Sequence, residues 1–322
     1  MPVSVLVAFM GCTPGSSSPI DGGPGSVAPT PEVSAGSAAR IAFGRWGPSE
    51  NRGEPPALWT VNADGSDPRP VGDQRGWYLE WSPDRTHLIF DLPVNGHEHI
   101  ATIRPDGSGF TQLTAGKGFF GDPAYSPDGK TIAFTYSPTS ELEPTTAEIW
   151  LMDADGSNPR ALLDPAEAGS DWEPVFSPDG ARIVFTREQE GPNGPVSAVH
   201  VVNSDGTDLR ALTPFEDYVE HPRWSPDGAT LIYNIEYRAN LDDPRNGVWT
   251  VSIDGGAPVA LLPTDDRFHY FKPSYSPDGS RIIVGCGPRD ALNEDLCVAN
   301  ADGSGIDILI ETPDYENHGV WS

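Results

Sequence analysis

Basic side chains, cysteines and long apolar runs are all scarce in this sequence. Lys and Arg number 20 against 47 Asp and Glu in 322 residues, a formal net charge of -27. Such a field repels phosphate backbones and anionic headgroups, which argues against nucleic acid as a partner and allows a membrane only through a lipid anchor. Cationic peptides, divalent cations or plain solubility outside the cell are compatible with it. Gly-x-Ser-x-Gly and His-Glu-x-x-His are both missing, so neither a nucleophile elbow nor a zinc-protease helix is encoded. No apolar stretch approaches the roughly 20 residues that a bilayer requires. Cysteine occurs only at 12, 286 and 297.

What the sequence does have is a repeated phrase. Trp81-Ser82-Pro83-Asp84, Tyr125-Ser126-Pro127-Asp128-Gly129, Phe176-Ser177-Pro178-Asp179-Gly180, Trp224-Ser225-Pro226-Asp227-Gly228 and Tyr275-Ser276-Pro277-Asp278-Gly279 are five copies, and Trp321-Ser322 begins a sixth. The serines lie 44 to 51 residues apart, a period that belongs to propeller blades. After each turn comes a β-rich run: Leu88-Ile89-Phe90, Ile132-Ala133-Phe134, Ile183-Val184-Phe185, Leu231-Ile232-Tyr233 and Ile282-Ile283-Val284, with an early copy at Ile41-Ala42-Phe43. A second run follows and ends in Asp-Gly at Asp64, Asp106, Asp155, Asp205, Asp254 and Asp302, before a short last strand. Each unit therefore reads as a four-stranded meander.

Turn chemistry explains the spelling. Pro sets φ at the second position of a type I turn, Asp suits the third, and Gly takes the left-handed position that lets the strands pair. Arg85 stands in place of that Gly in the first copy, where a side chain costs about 1 kcal/mol, so this hairpin is expected to be built differently. The pattern resembles the TolB-type propeller family, whose repeats carry the same aromatic-Ser-Pro-Asp-Gly phrase, and the resemblance covers about residues 40 to 322. The expected fold is all-β: a six-bladed β-propeller of four-stranded antiparallel blades. Because the first unit lacks its first strand, the C-terminal strand 317–321 is expected to close the first blade and remove an exposed sheet edge.

Strand direction sorts the connections onto two faces. The short Ser-Pro-Asp-Gly and Asp-Gly turns share one. Longer, irregular segments share the other: 135 to 147, 186 to 197 and 234 to 246 between second and third strands, and 164 to 172 and 263 to 271 between units. Variable loops on a rigid scaffold are where binding usually resides. That face also collects aromatics, among them Trp77, Phe120, Trp172 and Tyr270, which either pack blade against blade or stack on a sugar or peptide. Aligning the starts of the first strands gives a ring in the order His318, Tyr78, Asp122, Glu173, His221 and Lys272, expected to surround the mouth of the channel. Asp122, Glu173 and His221 are suited to a divalent cation or to acid/base work. The alternative is a hydrated, hydrogen-bonded lining, and Lys272 between two histidines disfavours a shared metal. No cofactor is expected.

Other motifs carry less. Gly116-Lys117-Gly118-Phe119-Phe120-Gly121 matches the dinucleotide fingerprint but has no helix to receive a pyrophosphate. Asp153-Ala154-Asp155-Gly156 reads as a hairpin turn rather than a calcium loop. His97-Glu98-His99 reads as surface polarity, with metal sharing as the other option. Cys286 and Cys297 fall on neighbouring strands of the last unit and are expected to form a disulfide in an exported protein. At the N-terminus, Val3–Met10 with Gly11-Cys12 resembles a bacterial lipobox, which implies a signal peptide over 1–12 and lipidation of Cys12. Residues 13–39 read as a flexible tether spanning roughly 30 Å by random-coil scaling.

Two classes of function remain open. One is a monomeric, non-catalytic binding module in the bacterial cell envelope, membrane-anchored or secreted, that recognises a protein, peptide or glycan at the channel mouth, as the TolB resemblance implies. The other is a propeller enzyme, a sugar-acting lyase or lactonase-like hydrolase with a central metal or acid/base site.

Overall fold

A computed structural model describes residues 39–48, 53–139, 146–164, 169–192, 194–215, 218–237, 243–265, 268–288 and 294–322. Cys12, the 1–12 leader and the 13–39 tether, save its last residue, lie outside the described residues. Every named element is a strand. In chain order they are β1 (Arg40–Trp46), β2 (Ala57–Asn62), β3 (Arg69–Arg75), β4 (Trp77–Trp81), β5 (Leu88–Val94), β6 (His97–Ile103), β7 (Thr111–Gln112) and β8 (Phe119–Tyr125). Next come β9 (Thr131–Ser137), β10 (Glu148–Asp153), β11 (Arg160–Ala161), β12 (Ser170–Phe176), β13 (Arg182–Gly191), β14 (Gly194–Asn203), β15 (Arg210–Ala211) and β16 (Val219–Trp224). The chain finishes with β17 (Thr230–Ile235), β18 (Gly247–Ser252), β19 (Val259–Pro263), β20 (Phe268–Tyr275), β21 (Arg281–Pro288), β22 (Asp295–Asn300), β23 (Asp307–Ile310) and β24 (Tyr315–Trp321).

These strands form six four-stranded antiparallel sheets, and blade 1 has the order β24-β1-β2-β3. The expected closure is present, with β24 beginning two residues earlier than the alignment placed it. The first strands of successive blades, β24, β4, β8, β12, β16 and β20, neighbour one another around the axis. The second strands are buried almost throughout, because their apolar triplets face neighbouring blades on both sides. Val184, Val199 and Val201 of blade 4, for example, pack with Trp224, Leu231 and Tyr233 of blade 5.

The turn face is as regular as its spelling. In blade 3, Ser126 Oγ donates to Asp128 and accepts from the Thr131 amide at 3.0 Å, while the Gly129 amide donates to the Ser126 carbonyl. Blade 2 corrects the expectation for Arg85. With φ at 60°, its amide donates to the Ser82 carbonyl at 2.8 Å, and Ser82 Oγ is bonded as in the other copies. The Asp84 carboxylate, which also accepts from the Thr86 amide and hydroxyl, fixes the turn strongly enough to hold a side chain in the left-handed region.

Closure reproduces that turn without a covalent link. The Ser322 amide donates to the Arg40 carbonyl at 2.7 Å, and the Arg40 amide donates to Ser322 Oγ at 2.8 Å. In blade 6, Cys286 and Cys297 are joined as a disulfide with a Cα separation of 5.8 Å.

On the opposite face, the segment 186–197 is not an irregular loop. β13 and β14 stay paired from Arg182↔Asn203 up to Gly191↔Gly194, so this hairpin projects well beyond the start of β12 at Ser170. Alternation of polar and apolar residues had been too weak there to mark it as strand.

Candidate functional site

Each first strand carries the same irregularity. Tyr78, Asp122, Glu173, His221, Lys272 and His318 all have φ between 47° and 58°, and the strand register slips at each of them. A left-handed residue that is not glycine costs about 1 to 2 kcal/mol, so six at one position mark a bulge imposed by the architecture. In four blades the next residue is proline, Pro123, Pro174, Pro222 and Pro273. Lacking an amide hydrogen, proline suits the skipped rung because it leaves no donor orphaned.

The preceding blade captures several of the bulge amides. Asp122 N donates to Asp91 Oδ2 at 3.2 Å, Glu173 N to Thr135 Oγ1 at 3.2 Å, and Lys272 N to Asn234 Oδ1 at 3.1 Å. Thr135 in turn donates to Asp122 Oδ2 at 2.8 Å. The acceptors are the residues that follow the apolar triplets. At that place stand Gly44, Asp91, Thr135, Thr186, Asn234 and Gly285, polar or glycine in every blade. Sequence reasoning missed this second ring, although its signal was a polar residue ending each apolar run.

The bulge turns these side chains toward the axis, where several of them meet. The Tyr78 ring lies 5.8 Å from that of His221 in the opposite blade and 5.3 Å from His318, with Lys272 Nζ 5.7 Å from its centroid. Lys272 Nζ donates to Asn317 Oδ1 at 2.9 Å, and His221 Nδ1 lies 2.7 Å from Glu173 Oε1. One layer toward the turn face, Arg223 meets Glu80 at 2.8 Å, again across the axis. The cavity between these layers, lined by Tyr78, Glu80, Asp122, Glu173 and Arg223 among others, is about 10 Å³, room for one water at most. Six large side chains on one narrow axis fill it.

Burial sets the protonation of this hub. It pushes Asp122 up to about 7, with Glu173 adding to the rise. Glu173 also feels burial, but His221 and Arg223 outweigh it and hold the carboxyl below its usual range. Burial lowers His221 despite the neighbouring Glu173, and it lowers His318 strongly, with Lys272 and Arg223 contributing. Burial thus disfavours the charged form of both imidazoles. Among the described residues, no group of three His, Cys, Asp or Glu is placed to hold a metal ion.

The aromatic residues divide between packing and exposure. Phe120 is wedged between His99 at 5.6 Å, Tyr136 at 5.1 Å and Phe134 at 6.3 Å, which makes it part of the seam between blades 2 and 3. Tyr270 is buried in the cluster joining blades 5 and 6, with its hydroxyl donating to Asp265 at 3.1 Å. Trp77, 5.5 Å from Trp46, and Trp172, edge-on to Phe119 at 5.8 Å, stay half-buried. The His97-Glu98-His99 cluster is not an exposed polar patch: Glu98 and His99 are buried within β6, and the His99 ring stacks on Phe120 of blade 3.

Six antiparallel blades around a filled axis define a β-propeller. The TolB beta propeller domain model matches residues 117–322, and the chain belongs to that family. An uncharacterized protein of Agrobacterium fabrum is 29% identical over 185 residues, 55% of this chain and 61% of that protein. Dipeptidyl-peptidase 5 of Arthroderma otae is 28% identical over 177 residues, 50% of this chain and 22% of the peptidase. The chain thus spans less than two thirds of the length of these relatives. The crystal structure of TolB from Acinetobacter baumannii superimposes with a TM-score of 0.71 at 21% identity, covering 88% of this chain and 66% of TolB.

Proposed function

We propose that this protein is an exported, non-catalytic binding module that recognises a protein or peptide on its loop face. The observation that carries this reading is the filled axis. Tyr78 and His221 meet across it, Glu80 and Arg223 meet beneath them, and the remaining cavity is about 10 Å³. The cavity beside Asp122 and Glu173 is too small for a substrate, whereas a partner can reach Trp77, Trp172 and the projecting β13–β14 hairpin. The likeness to TolB supports a protein partner over a glycan, and residues 1–39 would supply export and a lipid anchor through Cys12. The reading uses no cofactor and a single copy of the chain.

Photo-crosslinking tests it. A crosslinker at Gln189 on the loop face, but not at Asp155 on the turn face, is expected to trap one envelope protein, and Trp77→Ala with Trp172→Ala should abolish that adduct. Equal adducts from both faces would overturn the reading. The enzyme alternative makes the opposite demand: Tyr78→Ala would open the hub and raise turnover of a lactone or oligouronate, and metal found by elemental analysis would vanish in Asp122→Asn.

A further inference from the structure

Three buried carboxyl groups lie at the seam between blades 2 and 3, and the cation that acts on Asp122, Arg223, is shared with Glu80. Asp91 on β5 is 2% exposed and Glu98 on β6 is 5% exposed, while Asp122 on β8 is buried beside them. Asp122 and Glu98 both raise Asp91 electrostatically, and Asp122 raises Glu98. Asp91 Oδ2 accepts from the Asp122 amide, yet Asp91 Oδ1 and Glu98 Oε2 are buried without a hydrogen-bond partner. Three ionised carboxylates cannot share such a site. A proton converts one unpartnered acceptor into a donor and lowers the repulsion.

We propose that Asp91, Glu98 and Asp122 form a shared proton-binding site that latches blades 2 and 3 together when protonated and loosens their seam when ionised.

The surrounding charges are as follows. From β12, Glu173 adds negative charge, and it is already bound to His221. From β16, Arg223 reaches Asp122 but is held by Glu80 at 2.8 Å, and Glu220 is a further anion near Tyr78 of β4. On β6 itself, His99 is lowered by burial and by His97, so it stays neutral against the Phe120 ring. Burial pushes Glu98 up to about 7, with Asp122 adding to the rise, and raises Asp91 well above its ordinary range. A carboxyl held higher in the folded than in the unfolded chain stabilises the fold most fully below its unfolded value. That contribution is lost as pH rises through the folded value. The window here runs from about 4 to about 7, because the ordinary values are 3.8 for Asp and 4.5 for Glu. Loosening the seam would also move Phe120, Phe119 and, through Phe119, Trp172 on the loop face.

The test compares full-length wild type, Glu98→Gln and Asp91→Asn by thermal melts from pH 4 to 8, with hydrogen exchange of 119–125 measured against the equivalent strand 219–224. The wild-type Tm is expected to fall by several degrees more between pH 5 and 8 than that of Glu98→Gln, with protection lost selectively at 119–125. Glu98→Gln should match wild type at pH 4 and exceed it at pH 8. Asp91→Asn keeps an acceptor for the Asp122 amide and should show the same flattening, so failure of one variant to fold leaves the other. Parallel melting curves for all three proteins, or equal loss of protection in both strands, would overturn the proposal.

Discussion

Tyr78, Asp122, Glu173, His221, Lys272 and His318 share one backbone conformation and almost no chemistry. The architecture fixes where these side chains point and leaves open what they are. Aligning the strand starts was enough to find all six, since four are marked by a following proline. Their placement round the axis followed from strand order, but the bulge at each was not legible, because it changes direction without changing the apparent strand pattern. Tyr78→Ala is expected to cost about 2 kcal/mol, below the usual aromatic-to-alanine loss because the ring keeps some exposure, while Tyr78→Phe keeps the ring contacts and should be near neutral; urea unfolding distinguishes them. Arg85 gives a prediction of opposite sign. Its φ of 60° is one that glycine adopts freely, so Arg85→Gly should stabilise by about 0.5 to 1 kcal/mol, read as a higher urea midpoint with an unchanged slope.

Within a blade, the short turns combine two demands on glycine. Gly303 has φ of 82°, and a methyl group there would sit 2.6 Å from the Leu261 carbonyl oxygen of the preceding blade. Gly255 holds the same place in blade 5 with φ of 92°, but nothing lies within 4 Å of its added carbon. Gly255→Ala should therefore lose only backbone freedom, about 1 kcal/mol, and Gly303→Ala about 2 to 3 kcal/mol once the clash is included. Equal losses in calorimetric melts would mean the close approach carries no weight. The Asp-Gly signal named these turns from sequence, but the neighbour that makes one glycine costlier than another appears only when blades are stacked. The β13–β14 hairpin shows the converse failure: backbone pairing alone extends it through Gln189 and Glu190, which are exposed and leave no burial pattern to read.

For the molecule as a whole, the repeat made the fold legible, since six copies of one unit every 44 to 51 residues admit few arrangements. The binding face was legible only as the side without stereotyped turns, and the ligand is not spelled there because loops carry no periodic constraint. The pairing of β24 with β1 ties the two ends of the described propeller into one sheet. Removing residues 315–322 would expose the β1 edge and the Ile41, Phe43 and Ile283 surface covered by Trp321. Loss of cooperative melting is expected, and an unchanged Tm would contradict the closure.

That closure has a consequence for how the ring is made. Ser322 and Arg40 already hold the hydrogen bonds that Ser126 and Thr131 make across an intact turn. The fold thus treats its break as one more hairpin with the connecting residues left out. A Pro-Asp-Gly bridge from Ser322 to Ala39, which holds the place of Lys130, with the chain opened instead at Pro127 or Pro226 and residues 1–38 removed, should yield the same ring read from a different starting blade. In that sense the blades have an order but no obligatory beginning.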